Sequence, residues 1–328
     1  MTQVSAPVRP VEAATSRSPV VAVAICTYRR ADGLTRALDG IAGQVFTTAS
    51  APSIYVVVVD NEGDPGIRSI VDTFARRSGI AAVYVAEPRR GISQARNRSL
   101  AAIPDDADFV AIIDDDEKPD PGWLNALIET QARTGAAVVC GPILPIFVSP
   151  PPAWIVAGGF FVHPRRPDRG EPALADGERI ADARTGNVLI ETRAIVNTGA
   201  RFDDAFGLTG GEDALFFRHL SAGGAVMVWS TEAVVREWVP AARARFAYLM
   251  REYFRCGNVR ATIERLEGAS PASTLKKGLK KALAHGAGLL AALTGGRGRA
   301  QIYGQIFELA NAAGRLCALF GLRYQHYR

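Results

Sequence analysis

The stretch FVAIIDDDEKPD at 109–120 runs five apolar residues into four consecutive acids, Asp114, Asp115, Asp116 and Glu117. At about 4 Å and an effective dielectric of about 20, one pair of like charges costs on the order of 4 kcal/mol before screening. Acid runs are commonly solvated loop. This one follows a buried-type strand directly, and Pro119-Asp120-Pro121-Gly122 turns the chain just beyond it. Two carboxylates spaced Asp-x-Asp on a tight turn can face one way and hold a hard cation; Mg2+ and Mn2+ take such oxygen ligands together with substrate phosphates. A second acidic pair, Glu212-Asp213, closes the GGED stretch at 210–213. Acids there either favour a helix N-terminus or accept a proton from an attacking hydroxyl.

The elements that must position these groups alternate along the chain. Continuous apolar runs at 20–26, 54–59, 81–85 and 109–113 predict strands; helical spacing of Leu34, Leu38 and Ile41 predicts a helix within 27–44, and further helices are expected over about 65–78, 91–102 and 121–134. Strands alternating with helices give an α/β fold with a mostly parallel central sheet. Ligands of such sheets sit beyond the carboxyl ends of the strands. Those ends are Thr27-Tyr28-Arg29, Asp60-Asn61, Glu87-Pro88-Arg89-Arg90 and the acidic run, all polar and all expected on one rim. Further strands are expected at 136–140 and 225–229; between them 141–184, dense in Pro, Gly and Arg, reads as long loops over a site.

With 328 residues, 48% of them apolar, the chain can bury one large core, or one core plus an appendage. Its net charge of +5 is unevenly placed: residues 243–328 hold 15 Lys/Arg against 4 Asp/Glu, a net +11, which leaves −6 for residues 1–242. The basic balance therefore belongs to the tail and does not mark a nucleic-acid binder; no helix-turn-helix or zinc spacing supports one. Four scattered cysteines, Cys26, Cys140, Cys256 and Cys317, point to reduced thiols in a cytoplasmic protein. Residues 1–18 read as a flexible leader without the apolar core of a signal peptide.

VAVAICTYRR, VVVVDN, EPRRGISQARNRSL, FVAIIDDDEKPDPGWL, TGNVLI and GGEDALFFRHL occur in an order that resembles the family 2 glycosyltransferases of GT-A fold, of the bacterial exopolysaccharide type. The likeness covers about 20–240. It implies a catalytic domain over 19–242, with a nucleotide-sugar half at 19–140 and an acceptor half at 141–242, followed by a basic helical region at 243–328. It implies Mn2+ or Mg2+ held by Asp116, with Asp114 facing the ribose or a metal-bound water and Glu117 as an acidic neighbour. It places Thr27, Tyr28 and Arg29 at the nucleoside and an acid, Asp60, at the base. A carboxylate there suits the imide N–H of uracil, so UDP is the expected nucleotide. Asn61, Arg96 and Asn97 follow as further nucleotide contacts. Asp213 takes the role of base in an inverting transfer, Glu212 orients the acceptor, Gly211 lets the sugar approach, and Gly186 and Asn187 contact it. Asp115 is given no role.

Two departures stand out. Many relatives carry a His after the late strand as a metal ligand, where VVREWVP puts Glu237. Processive synthases carry Gln-x-x-Arg-Trp, where this chain has REYFRCGN at 251–258, so a single addition is expected, with Arg251 and Arg255 at the diphosphate, the acceptor or a basic helix face. The acceptor implied is a saccharide or a lipid-linked saccharide. STLKKGLKKALAHGAGLLAALTGG at 273–296 then has two open readings: it lies on an anionic inner leaflet, or it closes the core or a dimer contact. A sugar-nucleotide pyrophosphorylase would want a Gly-rich, Arg-bearing loop after the first strand, and a non-catalytic saccharide or nucleotide binder would not need two acidic centres.

Overall fold

The computed structural model describes residues 17–47, 51–162 and 173–324; the leader, up to residue 16, and 163–172 of the expected loops lie outside them. Strand β1 (Val20–Thr27) is buried on both faces along most of its length, which its unbroken apolar run allows. It is flanked by β2 (Ser53–Asp60) and β4 (Phe109–Asp114), both parallel to it. β3 (Ala81–Ala86) extends the sheet on one side. On the other side come β8 (Asn187–Glu191), β6 (Val138–Cys140) and β9 (Met227–Trp229). The order is β3-β2-β1-β4-β8-β6-β9, and β8 alone runs against its neighbours. The expected mostly parallel sheet is present.

Helices cover the sheet. α1 (Ala31–Ala42) presents Leu34, Ala37, Leu38 and Ile41 to the core. α2 (Pro65–Ser78) starts on an Asp64 cap that accepts the Gly66 N–H, with Pro65 in its first turn, and stops at a left-handed Gly79. α3 (Ile92–Leu100) and α4 (Trp123–Thr134) follow, and Trp123 and Leu127 are fully buried. Short helices α5 (Ala153–Ala157) and α6 (Thr192–Thr198) precede α7 (Glu212–Ala222).

A second, three-stranded sheet lies in and beyond the stretch expected to be loop. β10 (Val235–Val239) pairs antiparallel with β5 (Glu117–Pro119) and parallel with β7 (Ile143–Phe147). β5 begins on Glu117, the last acid of the run, so β4 and β5 are two strands joined by the Asp115-Asp116 turn.

The tail is helical as expected: α8 (Phe246–Leu266), α9 (Pro271–Thr294) and α10 (Arg299–Cys317). α8 and α10 touch backbone to backbone, because a Cβ on Gly257 would stand 1.9 Å from the Asn311 carbonyl oxygen and one on Gly314 2.0 Å from that of Phe254. An aromatic cluster fastens this bundle to α5: Trp154 meets Tyr303 edge-on at 5.0 Å, and Phe160 meets Phe307 at 5.2 Å. Among the described residues no helix is long and apolar enough to cross a membrane.

Candidate active site

The carboxyl ends of β1 and β4 lie side by side, with Cys26 opposite Asp114 in the ladder and Thr27 one step beyond. Above them opens a cavity of about 540 Å³. Its floor and one wall carry Thr27, Tyr28, Asn61, Arg96 and the acids 114–117. Gly186, Gly211, Glu212, Asp213 and Glu237 line the remainder, together with Arg243 and, from α8, Tyr248, Glu252 and Arg255. The boundary expected at 242 therefore does not separate the cavity from the helical tail.

Three arginines answer the repulsion within the acidic turn. Arg30 Nη1 donates to Asp115 Oδ1 and to Asp116 Oδ2, both at 2.9 Å. Arg243 reaches Asp116 Oδ2 at 3.0 Å and Glu237 Oε1 at 2.7 Å. Arg96 Nη2 lies 3.1 Å from Asp114 Oδ1. The turn divides by exposure: the Asp114 side chain is 40% exposed, whereas Asp115 is buried and accepts from the Thr27 hydroxyl at 2.8 Å. Asp115, for which the sequence offered no role, thus ties the β1 terminus to the turn. Burial, opposed by Arg30, pushes its carboxyl up to about 6. Glu117 is buried beneath Gly186 and accepts the Asp114 N–H at 2.9 Å; burial and the Asp114 charge hold its carboxyl well above the usual range. Glu237 stands opposite Glu117 in the β5–β10 pair, and burial, with Asp116 nearby, raises it to about 7.

Across the cavity, Gly211 caps α7 at φ 95°, a conformation open to glycine, and a Cβ there would stand 2.1 Å from Val259 Cγ1 of α8. This places Glu212 and Asp213 in the first turn of α7, where the helix dipole favours negative charge. Glu212 lines the cavity but is buried: Oε1 takes a hydrogen bond from Arg96 Nη1, and Oε2 is buried without a hydrogen-bond partner. Burial, reinforced by Asp213 and opposed by Arg96, pushes its carboxyl up to about 7. Asp213 is half-buried and open to the cavity.

Four residues expected at the substrate do not line the cavity. Asp60 is fully buried, and its carboxylate accepts the N–H groups of Glu62, Gly63 and Asp64 and the Tyr84 hydroxyl, so it holds the turn after β2. Asn97 clamps the backbone of Phe202 through both its amide atoms. Asn187 is buried, accepting from the Trp123 indole at 2.7 Å and donating to the carbonyls of Pro142 and Ala233. Arg29, at φ 58°, pairs with Glu62 and covers the outer face of Tyr28 at 5.0 Å. Asn61 does line the cavity, with its amide also spent on Glu87, Arg89 and Gly91. The polar lining positions missed from sequence include Arg30, Arg184, Thr185, Arg243, Tyr248 and Glu252. Arg30 is the last residue of the quoted VAVAICTYRR stretch, whereas Arg243 carries no local signal.

Among the described residues no group of three or more His, Cys, Asp and Glu closes around a metal ion. The donors facing the cavity, Asp114, Asp116 and Glu237, are all carboxylate oxygens. They fit a hard divalent cation held by one or two carboxylates and open to phosphate, not a closed protein cage.

Comparison with known proteins agrees with this geometry. The family model "Glycosyl transferase family 2" matches residues 22–191. The chain is 35% identical over 235 residues to the succinoglycan biosynthesis protein ExoM of Rhizobium meliloti, covering 72% of each. It is 29% identical over 135 residues to the glucosyl-dolichyl phosphate glucuronosyltransferase of Haloferax volcanii, a match spanning 40% of this chain and 41% of that one. Among solved structures, a mannosyltransferase from Pyrobaculum calidifontis, in complex with GDP-Man and Mn2+, superposes with a TM-score of 0.59 at 19% identity, over 94% of this chain and 90% of that one, a likeness of fold. The fold is GT-A, and the readings as pyrophosphorylase or as non-catalytic binder fall away. With two carboxylate centres facing one cavity and the motifs of 20–240 in register along it, the chain belongs to the family 2 glycosyltransferases.

Proposed function

We propose that the protein is an inverting glycosyltransferase that moves a sugar from a nucleotide-diphospho-sugar to a hydroxyl of a saccharide or lipid-linked acceptor, in the assembly of a surface polysaccharide at the cytoplasmic face of the membrane. The observation that carries this reading is the bridge formed by Arg96 between Asp114 and Glu212, which joins two acidic centres across one cavity. The 35% likeness to a succinoglycan biosynthesis protein supports the polysaccharide context.

In this reading Thr27, Tyr28 and Asn61 flank the nucleoside. Asp114, Asp116 and Glu237 are the oxygen donors for Mn2+ or Mg2+, which when bound supplies Lewis-acid stabilisation of the leaving diphosphate. Arg30 and Arg243 hold the Asp116 carboxylate and add positive charge beside that diphosphate. Asp213, exposed to the cavity, accepts the proton of the acceptor hydroxyl as it attacks. Glu212, anchored by Arg96 and lining the same cavity, orients the acceptor. Gly186 and Gly211 leave room for the sugar between these groups. The donor half is 19–140 and the acceptor half 141–242, with α8 from the 243–328 region completing the wall. Uridine stays the proposed base on the family resemblance alone: Asp60, the carboxylate that argued for uracil, is committed to its own turn, and base contact falls to Tyr28 and neighbouring backbone.

Release of nucleoside diphosphate from UDP-, GDP- and dTDP-sugars with Mn2+ tests the reading. UDP-sugar turnover abolished by chelation is expected; turnover of none of the three would overturn it.

A further inference from the structure

α9 is the least embedded long element of the molecule, and its exposure is patterned. Leu275, Leu279, Leu283, Leu290 and Leu293 are between 44% and 74% exposed. At 100° per residue these five fall within an arc of about 80°, and at 1.5 Å per residue they form a stripe about 27 Å long. The opposite side is where α9 is fastened: Thr274, Gly278 and Ala292 are buried, and His285 Nδ1 lies 2.8 Å from Gln305 Oε1 of α10.

The lysines of the same helix divide in the same way. Lys277 and Lys281 point inward to Glu264 at 3.0 Å and Glu308 at 2.8 Å, holding α9 to α8 and α10. Lys276 and Lys280 border the leucine stripe on the helical wheel and are not needed for those pairs. α9 contains no Asp or Glu, so nothing on it repels an anionic surface. A helix with an apolar stripe, lysines along one flank of it and too little hydropathy to span is suited to lying in a headgroup layer.

We propose that the Leu275–Leu293 face of α9 rests on an anionic lipid bilayer, with Lys276 and Lys280 at its headgroups. The docking stands on the helix itself; only its use, bringing the cavity to a lipid-linked acceptor, rests on the proposed function. The leucines are already exposed, so replacing them removes no core packing. Each basic residue at an anionic surface is worth about a fivefold change in partitioning.

The test is co-sedimentation of the full chain with phosphatidylcholine vesicles, with and without phosphatidylglycerol. Three proteins are compared: wild type, Lys276→Glu/Lys280→Glu, and Leu283→Glu/Leu290→Glu. Circular dichroism and donor hydrolysis serve as fold controls. Binding of the wild type to the anionic vesicles, weakened about tenfold or more in both variants with helicity unchanged, is the expected result. No binding, or equal binding by all three, overturns the proposal. So does a wild-type dimer that Leu283→Glu/Leu290→Glu splits into monomers, since a second copy would then cover the stripe. Loss of donor turnover in the wild type would overturn the proposed function and leave the vesicle result standing.

Discussion

Arg96 of α3 holds Glu212 at the first turn of α7, 116 residues further along the chain, with both side chains buried. A guanidinium in that position is the charge that makes a buried carboxylate tolerable beside Asp213. Arg96→Ala is expected to cost about 3 kcal/mol in denaturant unfolding, the low end for a broken buried pair because Glu212 can take up a proton instead. Arg96→Lys should restore part of it, since a point charge replaces the fork that also reaches Asp114. An Arg96→Ala protein as stable as wild type would show that the bridge is not structural.

Glu212 gives stability a pH dependence whose sign follows from its raised carboxyl. With a folded value of about 7 against an ordinary 4.5, the folded protein binds the extra proton between those limits. The contribution is fully present below about 4.5 and is lost as pH rises through about 7. Metal-free wild type should therefore lose stability relative to Glu212→Gln between pH 5 and pH 8 in urea unfolding, the other buried acids cancelling in the difference. An unchanged gap between the two proteins would contradict the assignment.

Asp116 is held by Arg30 and Arg243 and is the proposed direct ligand of the divalent ion. Chelation should lower donor turnover at least about a hundredfold, with recovery on adding Mn2+, and Asp116→Asn should lose a similar factor without recovery. Asp115→Asn, in contrast, should act mainly on stability, because Asp115 is buried and bonded to Thr27 and Arg30. Full activity of Asp116→Asn in chelator would remove the metal from the account.

Gly211 joins backbone strain to packing. Gly211→Ala should destabilise by more than about 1 kcal/mol, since an L side chain at φ 95° is strained and its Cβ meets Val259. Adding Val259→Ala should relieve the contact and leave the backbone part, so the double variant should recover only partially. Complete recovery would mean that the backbone tolerates alanine there.

The strands of the main sheet were legible because doubly covered parallel strands are unbroken apolar runs, as VVAVAIC and IYVVVV are. Their polar ends pointed to one rim for the same reason. The three-stranded sheet was not legible. β5 and β7 are three and five residues long, β10 carries Arg236 and Glu237, and the partners lie up to about 120 residues apart, so neither length nor alternation marks them. Asp60, Asn97 and Asn187 show the complementary limit. Asp60 at a strand end, and Asn97 and Asn187 at positions matched by the family resemblance, read as ligand contacts, and only the folded chain reveals that the N–H groups of 62–64, the backbone of Phe202 and the Trp123 indole already use them. Asp115 and Arg243 were invisible conversely, since their value comes from partners brought together by the turn and by β10.

In the proposed reaction Asp213 accepts a proton during transfer while the Asp114–Asp116 turn carries the donor. Donor turnover and donor affinity measured together on Asp213→Asn separate the two roles. The expected result is a kcat lowered by about a hundredfold to ten-thousandfold with donor Kd unchanged. A variant that keeps wild-type kcat, or loses donor binding instead, would contradict it.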